Sequence, residues 1–321
     1  MSTRIGLFGF GCVAQGFYEG LKKSGIDAEI IRICVKNPDK KRNAPAALFT
    51  TLPEDILTNA QVDLVVELID DADYARHIVH ESLRSGKPVI SANKKMIAEN
   101  LTELISWQQT YQTPLLYEGA VAGSIPILQN LQHFFGNQQI SRVRGIVNGS
   151  TNFILTKMKN ESASFESALK EAQQLGFAES DPWLDISGTD AVYKVVILAY
   201  HAFGHILRPD QVKKTGISEL TLGKILDSRK EGQKIKLVAS IEWVNDVLHA
   251  EVAPRIVTEG DPLYFIDHEN NAIVVEGSLS GAQTYIGKGA GSLPTGSAVL
   301  NDLNLLMHGF QYPHVTRRNV A

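Results

Sequence analysis

A glycine-rich turn near the amino terminus constrains the fold of this chain more than any other feature. Gly9, Gly11 and Ala14 form a Gly-x-Gly-x-x-Ala turn between an apolar run at residues 5–8 and a helical pattern that starts near Val13. Gly9 permits a tight turn, and Gly11 lets the backbone approach a pyrophosphate. The first N–H groups of the helix would face that anion. The turn therefore predicts a dinucleotide site on a parallel sheet, with a plain strand-to-helix turn as the alternative.

The rest of the first half alternates short apolar runs with helical patterns, which is typical of parallel strands joined by crossover helices. The predicted strands are residues 5–8, 29–35, 64–68, 89–91 and 115–117. The predicted helices are residues 13–23, 73–85 and 97–110, and Gly25 is expected to cap the first. This half predicts an α/β fold with a Rossmann-type, doubly wound parallel sheet.

The pattern changes beyond about residue 129. A strand is predicted at residues 141–147, helices at 165–175 and 189–203, and further strands at 234–243, 247–253, 272–278 and 284–288. The short connection 244–246 indicates an antiparallel pair. We predict a dinucleotide-binding domain at 1–128 plus 290–321 and an α+β substrate domain at 129–289.

Composition limits the classes of function. The chain has 321 residues, of which 44% are hydrophobic, and this matches two compact domains. A net charge of −4 without long runs argues against a nucleic-acid partner. No membrane partner is expected, because no leader or bilayer-length apolar run is found. Cys12 and Cys34, expected in a buried turn and a strand, suit the cytoplasm. The expected partner is a small molecule.

The end of the second predicted strand bears on the choice of cofactor. An acidic residue at this place would hold the ribose hydroxyls of NAD, whereas this chain has Lys36. Lys40, Lys41 and Arg42 follow, and no carboxylate is expected where it would repel a 2′-phosphate. These cations favour a 2′-phosphate and therefore NADP. The alternatives are dual use with NAD and a plain solvated loop.

The densest cluster of ionisable side chains lies between Glu179 and Lys194 and includes Asp181, Asp185 and Asp190. Asp190 and Lys194 are four residues apart and therefore share one helix face. On spacing alone, a surface ion pair is the commoner use of such a pair. The neighbouring carboxylates favour a site for a small zwitterionic substrate.

Two further segments are candidates for chemistry. Lys94 follows the predicted strand 89–91, at the edge where open parallel sheets bind ligands, although an exposed lysine at a helix start is the alternative. The small-residue segment 118–126 has carbonyl groups that suit a hard cation, or it is a purely structural turn.

Three separated segments, in order, resemble the homoserine dehydrogenase family. They are Asn148–Leu155, Leu175–Lys194 and Gly289–Val299, and the resemblance covers nearly the whole chain. Ala14 stands where the family commonly has glycine, and residues 68–71 replace a glycine-rich pair. The chain is similar to a short form without a C-terminal regulatory domain, so we expect little inhibition by threonine.

The resemblance implies roles for individual residues. Lys94 and Lys194 would serve acid/base chemistry, while Glu179, Asp185 and Asp190 would bind or orient the amino acid. A monovalent cation such as sodium would lie at Glu118, Val121, Gly123 and Ile125. The implied cofactor contacts are Gly9, Phe10, Gly11, Cys12, Val13, Lys36, Ser91, Lys94, Thr295 and Gly296.

The implied reaction is the reversible, NADP(H)-dependent interconversion of L-homoserine and L-aspartate-4-semialdehyde, in threonine and methionine biosynthesis. The resemblance also implies a homodimer formed through the substrate domain. Two alternatives stay open, namely another NAD(P)-dependent amino-acid dehydrogenase and a non-catalytic NADP-sensing protein. Homoserine-dependent reduction of NADP distinguishes the three.

Overall fold

A computed structural model describes residues 2–313 of the chain. The chain divides into two compact units. Among the described residues, the first unit contains 2–124 and 290–313, and the second contains Ile125–Gly289.

The first unit is built on a six-stranded parallel sheet. Its strands lie in the order β3-β2-β1-β4-β5-β6, which is the order of the doubly wound dinucleotide fold and confirms the predicted fold class. The strands are β1 Thr3–Phe8, β2 Ala28–Cys34, β3 Phe49–Thr50, β4 Leu64–Glu67, β5 Val89–Ser91 and β6 Leu115–Leu116. The helices are α1 Cys12–Lys23, α2 Glu54–Leu57, α3 Ala72–Arg84, α4 Lys94–Tyr111 and, last among the described residues, α11 Ser292–Met307.

Two local predictions in this unit are wrong. Helix α1 ends at Lys23, and its C-cap is Ser24 in an extended conformation, so Gly25 does not cap it. The Ser24 N–H bonds to the carbonyl of Gly20 at 2.9 Å, which ends the helix without a left-handed residue. Cys12 is exposed rather than buried, because it lies on the first turn of α1, whereas Cys34 is buried in β2 as expected.

Helices α1 and α11 pack so closely that backbone atoms of one helix contact those of the other. A Cβ atom on Gly16 would lie 2.0 Å from the carbonyl oxygen of Ser292, and one on Gly296 would lie 2.5 Å from the backbone nitrogen of Phe17. Ser292 Oγ also donates to the carbonyl of Cys12 at 2.7 Å. Helix α11 therefore holds the start of α1 in place.

The second unit contains a mixed sheet in the order β12-β11-β7-β9-β10-β8. All neighbours are antiparallel except β10 and β8, which confirms the predicted α+β character. The strands are β7 Ile140–Ile146, β8 Lys213–Lys214, β9 Lys234–Val244, β10 Val247–Val257, β11 Asn270–Gly277 and β12 Gly281–Lys288. The helices are α5 Ile127–His133, α6 Gly149–Glu161, α7 Phe165–Gln174, α8 Trp183–Ile186, α9 Thr189–Phe203 and α10 Leu222–Lys230.

Helix α9 lies in the interior of the second unit. Every residue from Asp190 to Phe203 is buried, as expected for a helix that is apolar on nearly all faces. The helix contacts β7, β9 and β10. Two charged side chains near its start, Asp190 and Lys194, are therefore held in a desolvated setting. Among residues 2–313, no helix has the length and apolar character needed to cross a membrane.

Candidate active site

The first two turns of helix α9 carry a buried ion pair. Lys194 Nζ donates to Asp190 Oδ2 at 2.7 Å and to the carbonyl oxygen of Val147, just after β7, at 2.6 Å. The side chains of Lys194 and Asp190 are only 8% and 7% exposed, so the alternative interpretation as a surface ion pair is wrong. Burial of an ion pair costs desolvation free energy, so this pair is weak evidence for stability and calls for a functional explanation.

The ammonium of Lys194 has capacity for one more partner. A lysine ammonium has three N–H donors, and within the described part of the chain two of them go to Asp190 and Val147. The third can donate to the oxygen of an alcohol or a carbonyl. The pair thus holds a proton donor in a fixed direction.

Asn148 joins this pair to a second carboxylate. Its Nδ2 donates to Asp185 Oδ1 at 2.7 Å and to Asp190 Oδ2 at 2.8 Å. Its Oδ1 accepts from the N–H of Thr151 at 2.9 Å, so the same side chain caps helix α6. Sequence reasoning missed Asn148 as a site residue. The available signal, an asparagine before a helical pattern, indicates only a cap.

The carboxyl group of Asp185 is destabilised in its charged form. It lies on the one-turn helix α8, and burial raises its pKa, with the charge of Asp190 adding to the effect. The hydrogen bond from Asn148 and the charge of Lys194 act in the opposite direction. A cation placed beside Asp185, such as a substrate ammonium, would stabilise the charged form.

The two earlier acids of the cluster do not join these groups. Glu179 is exposed, and its backbone carbonyl accepts from Gln173 Nε2 at 3.0 Å. Asp181 is also exposed, and its Oδ1 accepts from the N–H of Trp183 at 3.1 Å, at the start of α8. The structure thus unites Asp185, Asp190 and Lys194, while Glu179 stays apart in the surface loop.

The glycine-rich turn of the first unit fits a bound pyrophosphate. Gly9 has φ +86°, and a Cβ atom there would lie 2.6 Å from the carbonyl oxygen of Leu68, so glycine is required. Gly11 is the N-cap of α1, has no neighbour within 4 Å of a Cβ position and gives no side-chain cap. The first N–H groups of α1 therefore face a space that an anion can enter. Val13 is half-buried there.

Phe10 lies in this turn but faces the core. Its ring makes edge-to-face contacts with Tyr18, at a centroid distance of 5.6 Å, and with Phe49 at 5.4 Å. The side chain is 7% exposed. The ring therefore stabilises the turn from behind, and a contact with a cofactor would involve the backbone.

A carboxylate does lie beside Lys36, contrary to expectation. Asp71 Oδ2 is 3.4 Å from Lys36 Nζ, and the two side chains are 41% and 70% exposed. Asp71 is the N-cap of α3 and accepts from the N–H of Tyr74 at 3.0 Å. The loop after β4 carries this acid to the end of β2, since the two strands both flank β1.

The remaining predicted cofactor residues lie at the carboxyl ends of the strands or on α11. Ser91 ends β5 and is fully buried, and Lys94 is the half-buried first residue of α4. Thr295 is 7% exposed on α11. Gly296 packs against α1, so its lack of a side chain has a packing reason.

The segment suggested for a cation has features that fit one. Glu118, Val121 and Gly123 are buried, and Ile125 begins the second unit. Asp302 Oδ2 accepts from the N–H of Glu118 at 2.9 Å, whereas its fully buried Oδ1 has no hydrogen-bond partner among the described residues. Burial raises the pKa of Asp302, and the charge of Glu118 adds to this. Two buried acids in one place favour a neutralising cation.

This combination of fold and site is that of a nicotinamide-dependent oxidoreductase. A dinucleotide-binding sheet is joined to an α+β unit that holds a lysine and two carboxylates in its interior.

Comparison with known proteins identifies the family. The family models that match are homoserine dehydrogenase, over residues 126–304, and the homoserine dehydrogenase NAD binding domain, over residues 9–118. Homoserine dehydrogenase of Bacillus subtilis (strain 168) is 36% identical over 316 residues, which cover 95% of this chain and 73% of that protein.

Comparison with solved structures indicates the same family. A homoserine dehydrogenase from Thiobacillus denitrificans superposes with a TM-score of 0.92 at 34% identity, covering 96% of this chain and 74% of that chain. A hyperthermophilic archaeal homoserine dehydrogenase mutant, in complex with NADPH, superposes with a TM-score of 0.82 at 25% identity, covering 97% and 99% respectively. The chain belongs to the homoserine dehydrogenase family, and it is an NAD(P)-dependent oxidoreductase. This confirms the resemblance found in the sequence.

Proposed function

We propose that this enzyme interconverts L-homoserine and L-aspartate-4-semialdehyde with NADP(H), and that the first unit binds the cofactor and the second the amino acid. The observation that carries the proposal is the buried Lys194 ammonium, which is fixed by Asp190 and Val147 and has one donor to spare. A substrate with both an alcohol oxygen and an ammonium group suits a site with a lysine donor beside a carboxylate. The relatives described above carry the same substrate in their name.

Each residue of the site has a proposed task. A nicotinamide cofactor bound at the turn of Gly9 and Gly11 would supply or accept the hydride at the substrate carbon. In the reducing direction Lys194 donates a proton to the carbonyl oxygen as it becomes a hydroxyl, and solvent restores that proton. Asp190 orients the ammonium of Lys194, and Asp185 binds the amino group. Glu179, which lies apart in the surface loop, is proposed as a second contact for the amino group from the family resemblance alone. Lys94 serves as the second acid/base group.

The test is an assay of homoserine-dependent reduction of NADP by the purified chain, followed by the absorbance of the reduced nicotinamide. Turnover with L-homoserine supports the proposal. Turnover only with another amino acid would instead indicate a different dehydrogenase. Binding of NADP without turnover of any amino acid would indicate the sensing protein.

Replacement of Asp185 by asparagine should lower activity and raise stability together. The variant loses a charge-assisted contact to the substrate ammonium, so kcat/KM for homoserine should fall about 10- to 100-fold. The folded-state pKa of Asp185 is raised, so its ionisation begins to destabilise the folded protein as the pH rises through the ordinary pKa of an aspartate. The destabilisation is complete above the raised pKa, and the asparagine variant does not suffer it. Thermal unfolding of both proteins at acidic and neutral pH checks this. A variant that is less stable at neutral pH would contradict it.

We propose that NADP is preferred over NAD, with Lys36 as the contact for the 2′-phosphate and Asp71 as a group that limits the preference. Lys36→Ala should lower kcat/KM for NADP about tenfold, equivalent to about 1.4 kcal/mol, and leave NAD nearly unchanged. Asp71→Asn keeps a good N-cap for α3 but removes the negative charge, so it should raise the preference for NADP. Steady-state kinetics with both cofactors measures both ratios. Equal effects on NAD and NADP would overturn the assignment.

A monovalent cation is proposed at Glu118, Val121, Gly123 and Ile125. The buried carboxyl of Asp302 beside Glu118 supports it, because a bound cation would stabilise the charged forms of these two buried acids. Cytoplasmic location stays a prediction.

A homodimer is proposed through the second unit. Strand β12 lies at one edge of its sheet and carries Ile286, which is 62% exposed. An edge with an exposed apolar side chain is a surface for pairing, which a charge disrupts. Sedimentation equilibrium should show a dimer for the natural chain and a weakened dimer for Ile286→Lys. A monomeric natural chain would refute the dimer, and an unaffected variant would remove β12 from the interface.

A further inference from the structure

A buried acid that the proposed chemistry does not use ends strand β4. Glu67 is 0% exposed, and its Oε2 accepts from Ser91 Oγ at 2.6 Å while its Oε1 accepts from the N–H of Ile69 at 2.7 Å. Burial raises the pKa of Glu67 to about 7, against the effect of these two hydrogen bonds. Burial of a carboxyl group among neutral partners costs free energy. The burial of Glu67 therefore requires a reason beyond packing.

The two partners of Glu67 belong to a closed ring of hydrogen bonds. Ser91 Oγ accepts from the N–H of Asn93 at 3.1 Å, and Asn93 Nδ2 donates to the carbonyl of Ile69 at 3.1 Å. The ring therefore runs from Glu67 through Ile69, Asn93 and Ser91 back to Glu67. It ties the loop after β4 to the loop after β5.

The ring also sets the start of helix α4. Asn93 Oδ1 accepts from the N–H of Met96 at 2.9 Å, which makes Asn93 the N-cap of this helix. The first residue of α4 is Lys94. Because an N-cap fixes the direction in which a helix begins, the position of Lys94 depends on Asn93 and, through the ring, on Glu67.

The ring lies at the edge of the sheet where a ligand is expected. Glu67 pairs in register with Phe8 of β1 and with Ser91 of β5, and each is the last residue of its strand. Ligands of doubly wound sheets bind outside these carboxyl ends.

We propose that Glu67 is a positioning residue of the hydride-transfer reaction, which acts through Ser91 and Asn93 to fix Lys94 at the carboxyl edge of the sheet. The inference rests on the role proposed for Lys94. It assigns a function to a fully buried acid at the end of an apolar strand. Its loss should affect the chemical step more than cofactor binding, because the turn of Gly9 and Gly11 has its own support from α11 through α1.

The variants Glu67→Leu and Glu67→Gln separate positioning from packing. Leucine fills the space but accepts no hydrogen bond, so kcat should fall about 10²-fold, as small displacements of catalytic groups do, while the Kd of NADPH stays within about threefold. Glutamine can accept from Ile69 and donate to Ser91 Oγ, so it should retain kcat within about threefold. A loss of kcat and NADPH binding to equal extents, or a glutamine variant as impaired as leucine, would overturn the inference.

A double variant tests the route through Lys94. In the Lys94→Ala background, Glu67→Leu should cause no further loss of kcat, because residues that act as one unit are not additive. A fully additive loss would mean that Glu67 supports the fold in general. If Glu67→Leu does not fold, Asn93→Asp takes its place, because it keeps the oxygen that caps α4 through Met96 and loses the donor to the carbonyl of Ile69.

Amide hydrogen exchange distinguishes a failure of this inference from a failure of the proposed function. If the natural chain turns over no homoserine, the proposed function fails by itself. The ring is then judged by the exchange of the Ile69 and Met96 amides, which should be faster in Glu67→Leu and unchanged in Glu67→Gln. Unchanged exchange in the leucine variant would refute the ring as the device that fixes the start of α4.

Discussion

Replacement of Lys194 by alanine is expected to abolish turnover, with a fall in kcat of at least about 10³-fold, while NADPH binding stays nearly intact. The lysine is held in the second unit by Asp190 and Val147 and is the proposed proton donor, and general acid/base groups contribute about 10²- to 10⁴-fold. The measurement is steady-state kinetics combined with titration calorimetry of NADPH. A loss of NADPH binding would instead indicate a structural or cofactor-facing lysine.

The same substitution should also destabilise the protein, so a control is needed. It leaves the carboxylate of Asp190 buried without its cation, which typically costs about 3–5 kcal/mol. The double variant Asp190→Asn with Lys194→Met removes both charges and keeps similar volumes. It should recover most of the stability in denaturant unfolding and remain inactive. Recovery of activity with stability would show that the pair serves the fold alone.

Replacement of Gly16 by alanine should separate helices α1 and α11. The new Cβ atom would lie 2.0 Å from the carbonyl oxygen of Ser292, which is backbone and cannot rotate away. Overpacking of this kind costs about 1–3 kcal/mol. Because Gly11 is the N-cap of α1, the displaced helix should also raise the KM for NADP. Denaturant unfolding and cofactor kinetics measure both effects.

Gly20 offers a matched control on the same helix. A Cβ atom there would meet only the Leu300 side chain, at 3.4 Å. Alanine at a helical glycine is favoured by about 0.5–1 kcal/mol, so Gly20→Ala should be neutral or stabilising. Equal destabilisation by both substitutions would show that the helix contact does not depend on Gly16.

Features that depend on short-range spacing could be predicted from the sequence. The glycine-rich turn is local, so Gly9 and Gly11 indicated both the first strand and the helix that follows. Asp190 and Lys194 were predicted to share a face because a helix has a fixed period. Their burial could not be predicted from the pair itself, since it depends on the strands that surround α9.

Features that depend on distant contacts were missed for the same physical reason. Asn148 meets two carboxylates that lie 37 and 42 residues further along the chain. Asp71 meets Lys36 across 35 residues. Glu67 gave no signal, since one acid at the end of an apolar run is typical of a strand end that meets solvent. Only the tertiary fold brings these groups together, through the order of strands for Glu67 and Asp71 and through the packing of α8 and α9 for Asn148.

The return of helix α11 to the first unit has a consequence for biosynthesis. The ribosome makes α1 near the beginning of the chain, but it makes the helix that packs on α1 only after the whole of the second unit. Domains usually mature in the order of their synthesis. Here the first unit is begun before the second but is completed only after it. A nascent chain that has emerged only as far as Gly289 still lacks α11 and leaves Gly16 and its neighbours uncovered. Cofactor capture by the first unit is therefore expected only after α11 has been made.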